Sequence, residues 1–209
     1  MTLPTDLIED VVALDGRELV VLRPRDAEEL IDEQLFADRD EFIPYWADLW
    51  PSAILLARTL ASRALRGARV LELGCGLGLP SLAAALAGGR VLATDWAPDA
   101  LAAVALAAER NSLSVATLLC DWREPAELIA RGPFDLVIAA DVLYEQRNVL
   151  PLTELVQVLD SELWLADPGR PPAAQFVSDL ELAGFSASTL AATERPRVTV
   201  HRLEPGRMF

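Results

Sequence analysis

Short apolar or β-branched runs recur along the chain: RVLEL at 69–73, RVLAT at 90–94, VATLLC at 115–120, FDLVIAA at 134–140 and ELWLAD at 162–167. The first and fourth are apolar on both faces, as strands buried inside a parallel sheet are. Between the runs lie stretches with helical signals. Pro51 fits the first turn of a helix running to about Leu65, with Ile54, Leu55, Arg58 and Leu60 on the face that packs against the sheet. An alanine- and leucine-rich helix follows Gly78 and stops at Gly88-Gly89. A third starts at Pro98 and stops at Asn111, a fourth spans 148–159, and a fifth ends near Gly184. Strand and helix in alternation predict an α/β fold, a doubly wound, mostly parallel sheet. The chain closes with FSASTLAAT and PRVTVHRL, which alternate as an antiparallel pair does and bring the strand count to seven. At the other end, VVALDG and RELVVLRP flank an Asp-Gly pair and predict a β-hairpin. Leu30, Ile31, Leu35 and Phe36 place a solvated amphipathic helix over 26–41. The expected organisation is one domain over 1–209, with 1–50 an N-terminal extension and 51–209 the ligand-binding core. No repeat, low-complexity run or second domain is evident.

Composition narrows the partners. The chain has 209 residues, 52% hydrophobic and 24% charged, and a formal net charge of −14 in which every basic residue is Arg. Such a surface repels nucleic-acid phosphate, and no basic stripe offsets it, so a nucleic-acid partner is not expected. The acidity fits either a cationic substrate or simple solubility. No run is long and apolar enough to span a bilayer, and no secretory leader is evident, so the expected compartment is the cytoplasm. Oligomeric state is not specified by the sequence; a monomer is the simplest expectation. Two cysteines, Cys75 and Cys120, and one histidine, His201, exclude a Cys/His metal cluster. They read most simply as small buried thiols and a structural imidazole, and nothing supports a Cys–His nucleophile pair.

The candidate chemistry lies in 69–95, which reads strand, glycine turn, helix, strand and acid: half of a nucleotide-binding βαβ unit. Gly74, Gly76 and Gly78 let the backbone adopt dihedrals and approaches that a Cβ would forbid. Asp95 ends the second strand, where a carboxylate can accept from both hydroxyls of a ribose. The dinucleotide fingerprint is not met. Its third glycine comes one residue early, Leu79 stands in its place, and Glu72 just before the turn would repel a pyrophosphate. A carboxylate there suits a cationic ligand.

E-x-G-x-G-x-G at a strand–helix junction resembles the first motif of the class I, seven-β-strand S-adenosylmethionine (SAM) methyltransferases, whose ligand carries a sulfonium and an ammonium and no phosphate. Y-W-x-x-x-W-P-S-x-x-L-L-A around Trp50 resembles the segment before the first sheet strand in the lysine-methyltransferase-like, or nicotinamide N-methyltransferase-like, branch. Asp141-Val142-Leu143-Tyr144 resembles the D-x-x-Y motif after strand four of the protein lysine methyltransferases, not the N-P-P-Y of enzymes that methylate base or amide nitrogens. D-P-G-R-P from Asp167 to Pro171 resembles the branch of the family that includes the electron-transfer-flavoprotein β-subunit lysine methyltransferase, in which it closes part of the substrate side. The resemblance spans roughly 44–203. It implies a Rossmann-like seven-stranded fold and SAM as cofactor, with Glu72, Gly74 and Gly76 at its methionine end, Asp95 on the ribose, and Asp121 with Trp122 on the adenine. Trp50, Trp96 and Ala140 complete the implied cofactor set, and Asp141 and Tyr144 are the implied catalytic pair. The implied activity is methyl transfer to a nitrogen nucleophile, first of all a protein lysine. A small-molecule N- or O-methyltransferase and a non-catalytic nucleotide-binding module remain alternatives. Each motif also has a structural reading: Asp121 as a helix cap, Asp141 as an N-cap with Tyr144 packed on it, D-P-G-R-P as a rigid turn.

Overall fold

The computed structural model describes residues 6–26 and 44–206; the helix expected over 26–41 falls outside that range but for Asp26. Seven strands form one sheet: β3 (Arg69–Leu73), β4 (Arg90–Asp95), β5 (Val115–Leu119), β6 (Leu136–Ala140), β7 (Leu163–Asp167), β8 (Ser186–Glu194) and β9 (Arg197–Glu204). Their order is β5-β4-β3-β6-β7-β9-β8, parallel throughout except that β9 runs antiparallel to both its neighbours. The expected doubly wound, mostly parallel seven-stranded sheet is therefore present. Strand order reverses between β3 and β6, which opens a crevice beyond their carboxyl ends.

Alternation along the strands sorts the core into two layers. Val70, Leu136, Ile138 and Trp164 face one side with α1 (Pro51–Ala61), α2 (Leu79–Leu86) and part of α3 (Pro98–Arg110). Leu71, Leu73, Val137 and Leu165 face the other, under α4 (Ala126–Ala130), α5 (Val149–Leu159) and α6 (Pro171–Leu182). β3, β6 and β7 are covered on both faces, which is why they read as continuous apolar runs. β5, at the sheet edge, leaves Leu119 exposed.

α1 departs from the expected helix in two respects. It ends at Ala61, not near Leu65, because the following chain is tied to the far end of α2: Leu65 N–H donates to Ala87 O at 3.1 Å and Gly67 N–H to Gly88 O at 2.9 Å. Its buried face is Ser52, Leu56, Ala57 and Leu60, at i, i+4 spacing, and Arg58 is exposed. The short α4 was not foreseen either.

The hairpin forms as expected, β1 (Leu7–Leu14) pairing antiparallel with β2 (Arg17–Pro24). Both turn residues, Asp15 (φ 40°) and Gly16 (φ 81°), are left-handed, the conformation a two-residue hairpin turn demands. Val12, Leu14, Leu19 and Val21 bury into the first layer. Asn111, where α3 stops, accepts the Val20 N–H at 2.9 Å and donates to the Val20 carbonyl at 2.7 Å, acting as one residue of a neighbouring strand.

Candidate functional site

A solvent-open cleft of about 880 Å³ lies at the carboxyl edge of the sheet, where the strand order reverses. The ends of β3, β4 and β6 form its floor with Glu72, Gly74, Gly76, Asp95, Ala140 and Asp141. Tyr45, Trp46, Trp50, Trp96, Trp122 and Tyr144 wall it. Of the eleven residues expected from sequence, ten line this cleft. Asp121 does not; it lines the adjoining hollow that shares Trp96, Trp122 and Tyr144, and its carboxylate is gripped by Arg123.

The glycine turn owes its shape to close approaches. A Cβ on Gly74 (φ 64°) would fall 2.8 Å from Val142 Cγ1 and 3.1 Å from the Trp122 ring, and one on Gly76 would fall 3.3 Å from the Trp46 carbonyl. These two glycines let the walls close over the turn. Gly78 serves packing instead: its Cβ would fall 2.5 Å from Val104 Cγ2 on α3.

Glu72 is 1% exposed, and its Oε2 accepts the Ser81 N–H at 2.9 Å in the first turn of α2. The helix start, the usual seat for a phosphate, thus already holds a carboxyl group of the chain. Asp95 is also buried, and its two oxygens accept from Gly76 N–H and Ala97 N–H, each at 2.9 Å. That knits the glycine turn to the turn after β4 and leaves each oxygen acceptor capacity toward the cleft. Burial pushes the Glu72 carboxyl up to about 8, with Asp95 adding to the rise against the Ser81 hydrogen bond. Burial raises Asp95 as well. Two buried acids that resist ionisation describe a site wanting a positive charge.

The opposite end is built differently. Asp141 is 8% exposed, with its backbone in the left-handed region at φ 61°, a strained conformation for a residue with a side chain. It forms an ion pair with Arg170. Tyr45 and Tyr144 meet with ring centroids 4.8 Å apart, and the Trp50 indole N–H donates to the Tyr45 carbonyl at 2.9 Å, fixing that aromatic wall. Tyr45, Trp46 and Arg170 were not among the expected site residues, although two motifs singled out in the sequence contain them. Neither thiol suits nucleophilic work: burial raises Cys75 far above its ordinary range and Cys120 to about 11. Among the described residues no cluster of His, Cys, Asp and Glu could hold a metal ion, and no helix is long and apolar enough to cross a membrane.

The residues present fit SAM. An acidic floor suits the methionine ammonium and the sulfonium, aromatic walls suit a purine, and Gly74 and Gly76 keep the backbone open between them. Arg170 is the one basic side chain among the described residues lining the cleft, and Asp141 already takes its charge, which leaves nothing for a pyrophosphate.

Comparison with known proteins agrees with this chemistry. The sequence matches the model of a family described as lysine methyltransferase over residues 34–164. The electron transfer flavoprotein beta subunit lysine methyltransferase of Xenopus laevis is 35% identical over 144 residues, which cover 65% of this chain and 55% of that protein. Protein N-lysine methyltransferase METTL21A of Danio rerio is 32% identical over 123 residues, 55% of this chain and 56% of that one. The chain spans about half the length of the curated relatives it matches. Among solved structures, the 16S rRNA N2 G1207 methyltransferase of T. thermophilus, in complex with AdoMet and guanosine, aligns with a TM-score of 0.71 over 98% of this chain and 52% of that one. At 18% identity that likeness concerns the fold alone.

Proposed function

The chain belongs to the lysine methyltransferase family, and from that premise we propose that it transfers a methyl group from SAM to a lysine side chain of another protein. The observation that carries the reading is a single cleft with two unlike ends. One end has buried acids without basic partners; the other has an acid already paired with a cation and enclosed by aromatic rings.

When bound, SAM would supply an electrophilic methyl group to a nucleophile's lone pair, its sulfur retaining the electrons of the broken bond. The protein's part is positioning and exclusion of water. Glu72 and Asp95, with the backbone of Gly74 and Gly76, would hold the charged and ribose portions. Trp96 and Trp122 would enclose the adenine, with Asp121 in the adjoining hollow, its carboxylate held by Arg123. Asp141 accepts a hydrogen bond from the incoming amine and orients its lone pair, while Tyr45, Trp50 and Tyr144 close round the aliphatic stem. An acceptor lysine must shed its proton to react, since the ammonium has no lone pair.

The test uses methyl-labelled SAM and host lysate, with Asp95→Ala as control. The sequence contains no lysine, so any methyl-lysine formed arises on another protein. A labelled protein band that digests to methyl-lysine, absent with the control, is the expected result. Label confined to the small-molecule fraction, or to a residue other than lysine, would sink the reading.

A further inference from the structure

Arg170 enters the cleft from the turn after β7. Asp167 builds that turn: its Oδ1 accepts the Gly169 N–H at 2.6 Å and the Arg170 N–H at 2.7 Å. The guanidinium then reaches across the sheet edge to Asp141 at the end of β6, and its Nη1 also lies 3.9 Å from Asp167 Oδ2. Both acids are buried, at 8% and 1% exposure. Two strand-end carboxylates thus share one cation; among the described residues, Tyr45, Tyr144, solvent-exposed Asp48 and half-buried His201 are the other titratable groups at this end.

The pairing bears on a difficulty in the proposed reaction. A bare carboxylate beside an amine favours its protonated form, the form that cannot attack. A carboxylate already neutralised by a guanidinium keeps its acceptor lone pairs for orienting an N–H but contributes little net field. Arginine suits the task because it stays charged even when buried, where a lysine would readily lose its proton.

We propose that Arg170 is a positioning residue for the acceptor: by cancelling the charge of Asp141, it stops the acceptor end of the cleft from stabilising a cation, so that the amine is held there as the free base. The proton leaves to water as the amine enters. This rests on the methyl-transfer reading above, and it makes the charge of the acceptor end a property set from β7, through Asp141.

The test needs no knowledge of the acceptor. Sinefungin is a SAM analogue with an amine-bearing carbon in place of the methylsulfonium, so its ammonium probes the acceptor end. S-adenosylhomocysteine shares the rest of the molecule and lacks that charge. Calorimetric dissociation constants for both, at pH 7 and low salt, give a ratio that reports the local field. Arg170→Gln is expected to shift the ratio about tenfold toward sinefungin, because the freed carboxylate attracts its ammonium. Asp141→Asn should shift it about tenfold the other way, and Arg170→Lys should fall between wild type and Arg170→Gln, since a buried amine gives up part of its charge. An unchanged ratio in Arg170→Gln overturns the proposal. So does equal weakening of both ligands, which would place Arg170 on the methionine carboxylate they share. Should Arg170→Gln fail to fold, an Asp141→Asn ratio equal to wild type overturns it instead. Wild-type protein that binds neither ligand would overturn the cofactor reading beneath it, and is told apart because it strikes the unmutated chain.

Discussion

Glu72 and Asp141 are both acids at strand ends, and their neighbours give them opposite work. Glu72 faces Asp95 with no basic group beside it, so its proton is hard to remove, and its folded value of about 8 stands above an ordinary 4.5. A group raised on folding contributes stability that is complete below its unfolded value and is lost as pH climbs through its folded one. The ligand-free protein should therefore lose stability between about pH 4.5 and 8 on account of Glu72, by on the order of a few kcal/mol, and Asp95 acts in the same direction. Glu72→Gln keeps an acceptor for Ser81 without the charge. Its melting temperature should match wild type near pH 5 and exceed it increasingly toward pH 8; parallel curves would contradict this. Its SAM affinity should fall, because the cation loses its partner. Asp141 tests the other end. Asp141→Ala should bind S-adenosylhomocysteine as wild type does yet transfer methyl about 100-fold more slowly, and full activity would remove its orienting role. Glu72 and Asp95 were legible in sequence because each sits at a fixed offset from a glycine turn. The pairing of Asp141 with Arg170, 29 residues later, was not, since only the sheet brings β6 and β7 side by side.

At the scale of elements, the glycine turn separates binding from packing. Gly78→Ala drives a Cβ against Val104 and holds a left-handed φ of 72°, so it should lower stability by roughly 2 kcal/mol. In Gly74→Ala the clash is with Val142 and Trp122, walls of the cleft, so its larger effect should be on SAM affinity. Thermal melts and ligand titrations of the two variants distinguish these effects. The hairpin offers a second test. Asn111→Ala strands the Val20 N–H and carbonyl, at a cost of about 1–3 kcal/mol, and β1 and β2 should exchange amide hydrogens faster than the sheet does. The Asp-Gly turn made the hairpin readable, and Pro51 marked where α1 begins. The end of α1 was not readable, because hydrogen bonds to the loop after α2 set it, and Arg58 looked core-facing only while the register of the buried face was unknown. β5 reads as apolar yet is half exposed, because edge position is a property of the sheet and not of the strand.

For the molecule as a whole, the reversal of strand order between β3 and β6 places the cleft, and the net charge of −14 sets the long-range field around it. The alternation of strands and helices was enough to foresee the sheet. Strand order was not legible in any run of residues, because it is a property of how the strands assemble. If the proposed acceptor is a basic protein, the net charge of −14 would speed its encounter, and association should slow as salt rises. Beneath every step lies the claim that the acid-led glycine turn holds a sulfonium nucleoside and not a pyrophosphate. Titration calorimetry of the purified chain with SAM, S-adenosylhomocysteine and NAD tests it most directly. SAM and its demethylated product should bind with one site each, SAM releasing a proton from Glu72 at pH 7, while NAD gives no heat of binding. Saturable binding of NAD with no response to either sulfur compound would contradict the account.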